Sequence, residues 1–453
     1  MTKLNLDWVA AVTGGRLEGA TLTAEGVASD SRKVSAGQLF FALMGAREDG
    51  HAHVAAAIRA GAVAAVVSRP GDYGCPVVVV QDTRRAISQL ARAYMQSTKA
   101  RVVAVTGSVG KTSCKELTAA ALSAKYSVLK SSGNQNTEIG LPISVLGHRQ
   151  EEVFVLEMAM RGLGQIAFLT DIAPPDVAVI TNIGEAHIEL LGSRDNIARA
   201  KAEILQGSNP NARAILNRDD DYFAYLAGLA RGSVVSFGTH AESDWVIGRA
   251  EANAFGHYSF PLRKGGDEHT VWCPWPGRHH VYNAAAAVAV ACALGVELPK
   301  AIAAIAACPP SEQRLNVFVS AEGVVIIDDT YNASPVSMLA ALTTLSETKA
   351  AGRRIAVLGS MYELGSRSRA AHQEVGSAAA AICDVVFTVG AEAEVIAAEV
   401  SSRVTKPVYT CHTPGEAVVL LKGELRPGDV VLIKGSRGLR MEQIVAALLK
   451  GAE

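Results

Sequence analysis

The sequence is short of everything that marks an exported, membrane-bound or polyanion-coating protein. Met1 to Trp8 holds no apolar core of the kind a secretory signal needs, and no uninterrupted apolar run approaches a membrane span. The Ala-rich stretch from Ala284 to Leu294 is too short for one. There is no charge excess: 43 Lys plus Arg against 44 Asp plus Glu give a net charge of -1, which removes support for general nucleic-acid or membrane-surface binding. The seven cysteines are odd in number, scattered, and lack any C-x-x-C pair. That pattern excludes a disulfide frame or a zinc knuckle and predicts small buried thiols in a reducing, cytoplasmic setting. An Asn-Lys-x-Asp guanine-switch motif is also missing.

What is present is chain length and apolar residues. At 453 residues the chain is too long for one core, and 49% hydrophobic content supplies cores throughout. Residues 1–97 read as a small α/β domain, 98–310 as a larger α/β unit, and 311–453 as a third, with Pro309-Pro310 marking the last linker. In the middle unit, apolar runs at Val102–Val105, Val153–Leu156, Val177–Ile183 and Ala214–Leu216 alternate with helical stretches. Such alternation predicts a parallel sheet with helices on both faces, and ligands bind such sheets beyond the carboxyl ends of the strands.

The first of those runs leads into Thr106-Gly107-Ser108-Val109-Gly110-Lys111-Thr112, and Ser113–Ala124 then reads as a helix. A strand, a glycine turn ending in Gly-Lys-Thr, and a helix form a phosphate cradle. Gly107, Ser108, Val109 and Gly110 let backbone N–H groups approach phosphate oxygens, Lys111 reaches the terminal phosphates, and the Thr112 hydroxyl ligates Mg²⁺. Only Ser108 and Val109 separate the glycines, where the common P-loop has four residues between them.

Other polar residues fall at strand ends. Glu157 follows the second run and is a candidate Mg²⁺ ligand, since that ion takes one or two carboxylates beside substrate phosphates. His187 alone reads as a structural histidine, but its loop, Asn182 to His187, lies where the nucleotide is expected and makes it a candidate ligand. Lys201 sits in a good helix and on pattern alone is a solvent-facing lysine. Gly277 to Asn283 opens an alanine-rich helix whose start either meets a base or phosphate or is an N-cap cluster. Its adjacent histidines do not share a helix face, so they are no metal pair. Ser29 to Lys33 could grip a phosphate or a uracil edge, although composition alone favours a solvated turn. In the third unit, strands are predicted at Val324–Asp328, Arg354–Leu358, Val385–Val389 and Val430–Ile433, with no G-x-G-x-x-G after the first. A Rossmann-like sheet without a dinucleotide is expected.

Together the T-G-S-V-G-K-T loop (106–112), Glu157, N-I-G-x-A-H (182–187), A-K-A-E (200–203) and G-x-H-x-x-x-N (277–283) resemble the Mur ligases. These are the ATP-dependent amide-forming enzymes of peptidoglycan precursor synthesis. The resemblance covers essentially the whole chain. D-S-R-K (30–33), D-G-H (49–51), N-x-N-T-x-x-G-L-P (134–142), Y-N-A-x-P (331–335) and K-G-S-R-G (434–438) are most similar to the member that adds a dipeptide.

The resemblance implies three domains: an N-terminal UDP-sugar-binding domain, a central ATP-binding domain with a P-loop-type, mostly parallel sheet, and a C-terminal Rossmann-like domain. It implies UDP-N-acetylmuramoyl-tripeptide and D-alanyl-D-alanine as substrates, an acyl-phosphate intermediate, two Mg²⁺ ions and a monomer. By the same resemblance Glu157, His187 and a carbamylated Lys201 complete the metal site. Asn283 and Arg314 contact adenine and ribose, and Asp329, Tyr331 and Asn332 close over the nucleotide. Ser31 and Arg32 hold UDP, and Asn136 and Thr137 face the sugar-peptide. Ser334, Ser360 and His280 depart from the family pattern. A folylpolyglutamate synthase, which shares the P-loop and the acyl phosphate, would not need the Ser29–Lys33 segment.

Overall fold

The computed structural model describes residues 2–45, 48–133, 135–186 and 188–450. Its framework is a ten-stranded sheet. Seven strands run parallel in the order Val128–Lys130, Val153–Glu157, Arg101–Thr106, Val177–Ile180, Arg213–Asn217, Val234–Gly238 and Trp245–Ile247. The strand Arg101–Thr106 is buried from Val102 onward because helices cover both faces, and its run of valines suits a strand with no polar side. It lies between Val153–Glu157 and Val177–Ile180, so the chain leaves it in one direction and later returns on the other side. That reversal opens a crevice at its carboxyl end, where the P-loop sits.

Two helices close one face over the crevice. Lys111–Ser123 begins directly on Gly110, whose φ of 82° places it in the left-handed region that a glycine adopts without strain. It packs against the alanine-rich helix His279–Ala293, which is buried along most of its length. Small side chains let the two helices approach closely, so the start of one is held beside the start of the other.

The sheet ends in antiparallel strands that the alternation of apolar runs does not anticipate. His257–Lys264 and Asp267–Pro276 form a hairpin through Gly265-Gly266, with Gly265 at φ 59°. The first arm buries every second residue, a period of two that sets it apart from the continuously buried parallel strands.

Before the framework comes a five-stranded sheet of Arg16–Glu18, Val77–Val79, Ala64–Val67, Leu39–Phe41 and Val27–Ala28. The helix Thr83–Ser97, capped by the Asp82 carboxylate on the amides of Arg84 and Arg85, leads from it to the framework. One apolar cluster runs without a break from Leu4, Phe41 and Val66, through Ile87 and Leu90, to Phe154, Ile166 and Leu216. After the framework comes a six-stranded sheet, Asn316–Val319, Val325–Asp329, Val430–Lys434, Arg354–Gly359, Val385–Val389 and Val408–Cys411, parallel except for its first strand. Its two apolar clusters contain only residues from Leu315 onward. Among the described residues no helix is long and apolar enough to cross a membrane. All seven cysteines are free, and five are buried.

Candidate active site

The loop Gly107–Gly110 is laced to the end of the neighbouring strand. The amide of Ser108 donates to the carbonyl of Asn182 at 3.0 Å, and the amide of Val109 donates to Asn182 Oδ1 at 3.1 Å. Thr181 Oγ1 donates to the Val109 carbonyl at 2.6 Å. The strand therefore stops at Ile180, and Thr181 and Asn182 turn out to serve the loop. Glycine is required twice here. A Cβ on Gly107 would lie 1.9 Å from Thr181 Oγ1, and one on Gly110 would lie 2.7 Å from Asn283 Oδ1. That second approach puts Asn283, from the alanine-rich helix, against the mouth of the loop.

Three side chains meet beneath it. Glu157 is the last residue of its strand and is 2% exposed. Its Oε2 accepts from Thr112 Oγ1 at 2.8 Å and its Oε1 accepts from Asn136 Nδ2 at 2.7 Å. Its backbone amide donates to Ser131 Oγ at 3.2 Å. The buried Lys115 donates to the Ser131 carbonyl at 2.6 Å and pairs with Glu116 at 2.9 Å. A helix lysine of this kind is read from pattern as solvent-facing. Here it ties down the segment that presents Asn136 and Thr137.

Two lysine side chains converge on one carbonyl. Lys111 Nζ donates to the Gly107 carbonyl at 2.7 Å and to that of Ser108 at 3.3 Å, and Lys201 Nζ reaches the same Gly107 carbonyl at 3.0 Å. Lys201 is 2% exposed, against its pattern as a surface lysine. Burial drives its amine well below the usual lysine range, and the neighbouring charge of Lys111 pushes the same way. Burial also lowers Lys111, opposed by Glu157. His187 lies outside the described residues. Among the described residues no three His, Cys, Asp or Glu side chains cluster as a metal cage. One carboxylate with a hydroxyl at its edge is the donor set that suits Mg²⁺ when substrate phosphates supply the remaining oxygens.

The C-terminal sheet reaches across. Arg314 NH2 donates to Thr112 Oγ1 at 3.2 Å, and its guanidinium stacks 4.1 Å from the centre of the Tyr331 ring. Arg314 stands between two left-handed non-glycine residues, Gln313 at φ 60° and Leu315 at φ 54°. Such backbone costs about 1–2 kcal/mol per residue, which marks the turn as one that tertiary contacts hold in place. One of them is the Tyr331 amide, which donates to the Gln313 carbonyl at 3.1 Å. Asp329 pairs with Lys434 at 2.5 Å, and Lys434 also donates to the Asn332 carbonyl at 2.9 Å. Asp329 and Asn332 are thus set by a buried lysine on the adjoining strand, directly opposite Asp329 in register, and Tyr331 by the Gln313–Arg314 turn. Further polar contacts cross between the sheets: Glu185 with Arg367, Arg161 with Glu363, and Tyr258 with Glu347.

Ser31 and Arg32 stand apart from this centre, in a short 3-10 turn capped by Asp30. Arg32 donates to both carboxylate oxygens of Asp30, at 2.9 and 2.8 Å, and that pairing holds the Asp30 carboxyl down to about 2. Thr137 is exposed beside Asn136.

His279 and His280 lie with ring centres 4.1 Å apart and planes tilted by 45° at the start of the alanine-rich helix, and His280 Nδ1 lies 3.3 Å from Asn283 Nδ2. Burial pushes His279 down to about 4, with Asp329 opposing and Lys434 and Arg314 assisting; it pushes His280 well below the usual value of 6.5. The unfolded chain takes up protons on these rings below pH 6.5 and the folded chain does not. Their contribution to stability is therefore intact above pH 6.5 and falls as pH drops below it, the part from His279 being lost by about pH 4. Denaturant midpoints measured across that window should fall with acidification, and less steeply in His279→Asn.

A strand-to-helix phosphate loop, a carboxylate held under it and a second α/β sheet closing from the side define an α/β enzyme that transfers a nucleotide's phosphoryl group. The sequence matches the Mur ligase family catalytic domain over residues 23–105, the Mur ligase middle domain over 105–291 and the Mur ligase glutamate ligase domain over 313–437. This chain belongs to the Mur ligase family of ATP-dependent amide-forming ligases. It is 36% identical to the UDP-N-acetylmuramoyl-tripeptide–D-alanyl-D-alanine ligase of Escherichia coli, over 99% of each chain, and 36% identical to that of Bacillus subtilis, over 94% of this chain and 93% of the relative. A crystal structure of MurF from Acinetobacter baumannii superposes with a TM-score of 0.90 at 32% identity, covering 99% of both chains. MurF from Thermotoga maritima in complex with ADP superposes with a TM-score of 0.82 at 34% identity, covering 94% of this chain and 97% of that one.

Proposed function

We propose that this chain joins D-alanyl-D-alanine to UDP-N-acetylmuramoyl-tripeptide with consumption of ATP, as a cytoplasmic monomer. The peptide's terminal carboxylate attacks the γ-phosphorus of ATP, giving an acyl phosphate and ADP. The dipeptide amine then attacks the acyl carbon, an amide forms and phosphate leaves. The observation that carries this reading is the Thr112–Glu157–Asn136 chain, which joins the phosphate-loop helix to the segment expected to face the sugar-peptide.

Each described residue has a task in that sequence. Lys111 leaves the Gly107 and Ser108 carbonyls for phosphate oxygens, and the helix N-terminus behind it adds positive potential where charge builds up. Thr112 and Glu157 would hold Mg²⁺, with His187 and Lys201 expected to complete the set; when bound, the ion would neutralise phosphate charge. Asn283 and Arg314 border the adenosine side, and the loop from Asp329 to Asn332 covers it. Excluding water matters because an acyl phosphate hydrolyses readily.

Lys201 takes part as a carbamate in this reading. Carbamylation needs the amine with its lone pair free, a form that burial favours at Lys201; the nitrogen then adds to the carbon of CO₂, with one proton lost to water. The product is an anion beside Lys111, and the opposite charges attract.

The test is phosphate release from ATP and Mg²⁺ with each acceptor alone and with both. Release only with both, together with a UDP-linked pentapeptide, is the expected result. Release with neither substrate, or activity only with a different amino acid, overturns the assignment.

A further inference from the structure

The segment K-G-S-R-G (434–438) ends the last strand of the C-terminal sheet, Val430–Lys434, which is inserted between Val325–Asp329 and Arg354–Gly359. Its lysine sets Asp329 and Asn332. Its serine fixes the backbone: the Ser436 amide donates to the Ser360 carbonyl at 3.2 Å, and Ser436 Oγ accepts from the Tyr362 amide at 3.0 Å. The remaining side chain is Arg437. Its Nη1 donates to Gln313 Oε1 at 2.9 Å and lies 3.4 Å from Glu442 Oε1. That side chain is 58% exposed, so burial does not force these partners on it.

Gln313 is where the contact has consequences. Its φ of 60° is left-handed, a conformation that a residue with a Cβ leaves for extended or right-handed backbone unless contacts hold it. Two contacts do so: the Tyr331 amide on its carbonyl at 3.1 Å, and Arg437 on its side chain. The first grips one atom of the peptide. The second adds a point several bonds away, and two points fix an orientation that one leaves free to pivot. The next residue is Arg314, which donates to Thr112 Oγ1 and stacks on the Tyr331 ring. A change of φ at Gln313 rotates the chain that follows, and Arg314 is the first side chain to swing.

We propose that Arg437 is a positioning residue for the ATP site: it holds the Gln313 side chain and thereby keeps Arg314 aimed at the start of the phosphate-loop helix. The proposal rests on the function above for the presence of ATP beside Arg314. Among the described residues Arg437 makes no hydrogen bond to the phosphate loop, so its effect on the nucleotide passes through Gln313. This is a different task from meeting a dipeptide carboxylate directly at the same strand end, and the two roles predict different kinetics.

The test uses Arg437→Ala, Gln313→Ala and the double variant in the full chain, with steady-state kinetics for each substrate. The KM for ATP should rise roughly three- to tenfold in either single variant, the worth of one hydrogen bond. The KM values for D-alanyl-D-alanine and UDP-N-acetylmuramoyl-tripeptide should stay within about twofold. A merely structural loss would lower the active fraction, and with it kcat, without moving the KM of one substrate. The double variant should be no worse than the poorer single one, because both substitutions remove the same contact. An unchanged KM for ATP in either single variant overturns the proposal. So do single-variant factors that multiply in the double variant, a rise shared by all three substrates, or a rise confined to D-alanyl-D-alanine in Arg437→Ala. Gln313→Ala leaves the Arg437–Glu442 pair in place and decides the matter by itself should Arg437→Ala fail to fold. Should the parent chain fail to consume the substrate pair, the function fails, and calorimetric titration of parent and Gln313→Ala with ADP still decides the positioning role: weaker binding to the variant supports it, and equal affinity, or no binding to the parent, overturns it.

Discussion

Lys111→Ala abolishes ATP-dependent phosphate release and leaves the fold standing. The ammonium now bonds two carbonyls of its own loop, contacts that contribute little to the framework, while the loop itself is held by Thr181 and Asn182. What disappears is the one mobile cation of the loop at the moment charge moves between phosphate oxygens. Removing a single group that stabilises transition-state charge lowers turnover roughly 10²–10³-fold. Loss of the cation also empties the space in which the terminal phosphates are drawn into line, so a still larger fall is expected. Phosphate release with both substrates measures it, and a thermal melt within a few degrees of the parent shows that the fold survives. Retained turnover would sink the assignment of this loop.

Lys201→Ala comes next in size, and its signature is chemical rescue. The variant removes both the buried amine and any carbamate formed on it. It should lose roughly 10² in turnover or more, as expected for one charged group at a phosphoryl-transfer centre. A short carboxylic acid such as acetate fits the vacated space and returns an anion to it, so added acetate restores part of the rate in a saturable way. Lys201→Gln, of similar length and uncharged, should not respond. If Lys201→Ala is as active as the parent, the carbamate plays no part.

These residues were not equally legible beforehand. The phosphate loop reads directly because glycine spacing, lysine and threonine are local requirements of one turn, and the strand and helix around it have opposite periodicities. The structure moves the helix start only from Ser113 to Lys111. Glu157 is readable as a polar residue ending an apolar run. Lys201 and Lys115 are not: each is a lysine within a good helix, and burial is decided by elements far away in sequence, the Gly107 carbonyl for one and Ser131 for the other. Arg314 is hidden for another reason. Its aim comes from left-handed backbone at Gln313 and Leu315, residue types that seldom adopt it, so nothing in the local sequence announces the turn. The hairpin from His257 to Pro276 was open to reading, since alternation and Gly265-Gly266 are both present, but its short runs are less conspicuous than the parallel strands.

The apolar cluster that runs from Leu4 to Leu216 stops before the C-terminal sheet, which keeps its own interior and meets the rest at this face through the arginine, glutamate and tyrosine contacts around Arg314, Glu185 and Tyr258. In mechanical terms the protein is built like a vice, one jaw continuous with the frame and the other bolted on through a polar seam. The N-terminal sheet and the sheet that carries the phosphate loop are cast in a single piece, so the span between them is set once, at folding. The part carrying Arg314 and Tyr331 meets it across paired charges, and parting such a seam would wet groups that water accepts readily.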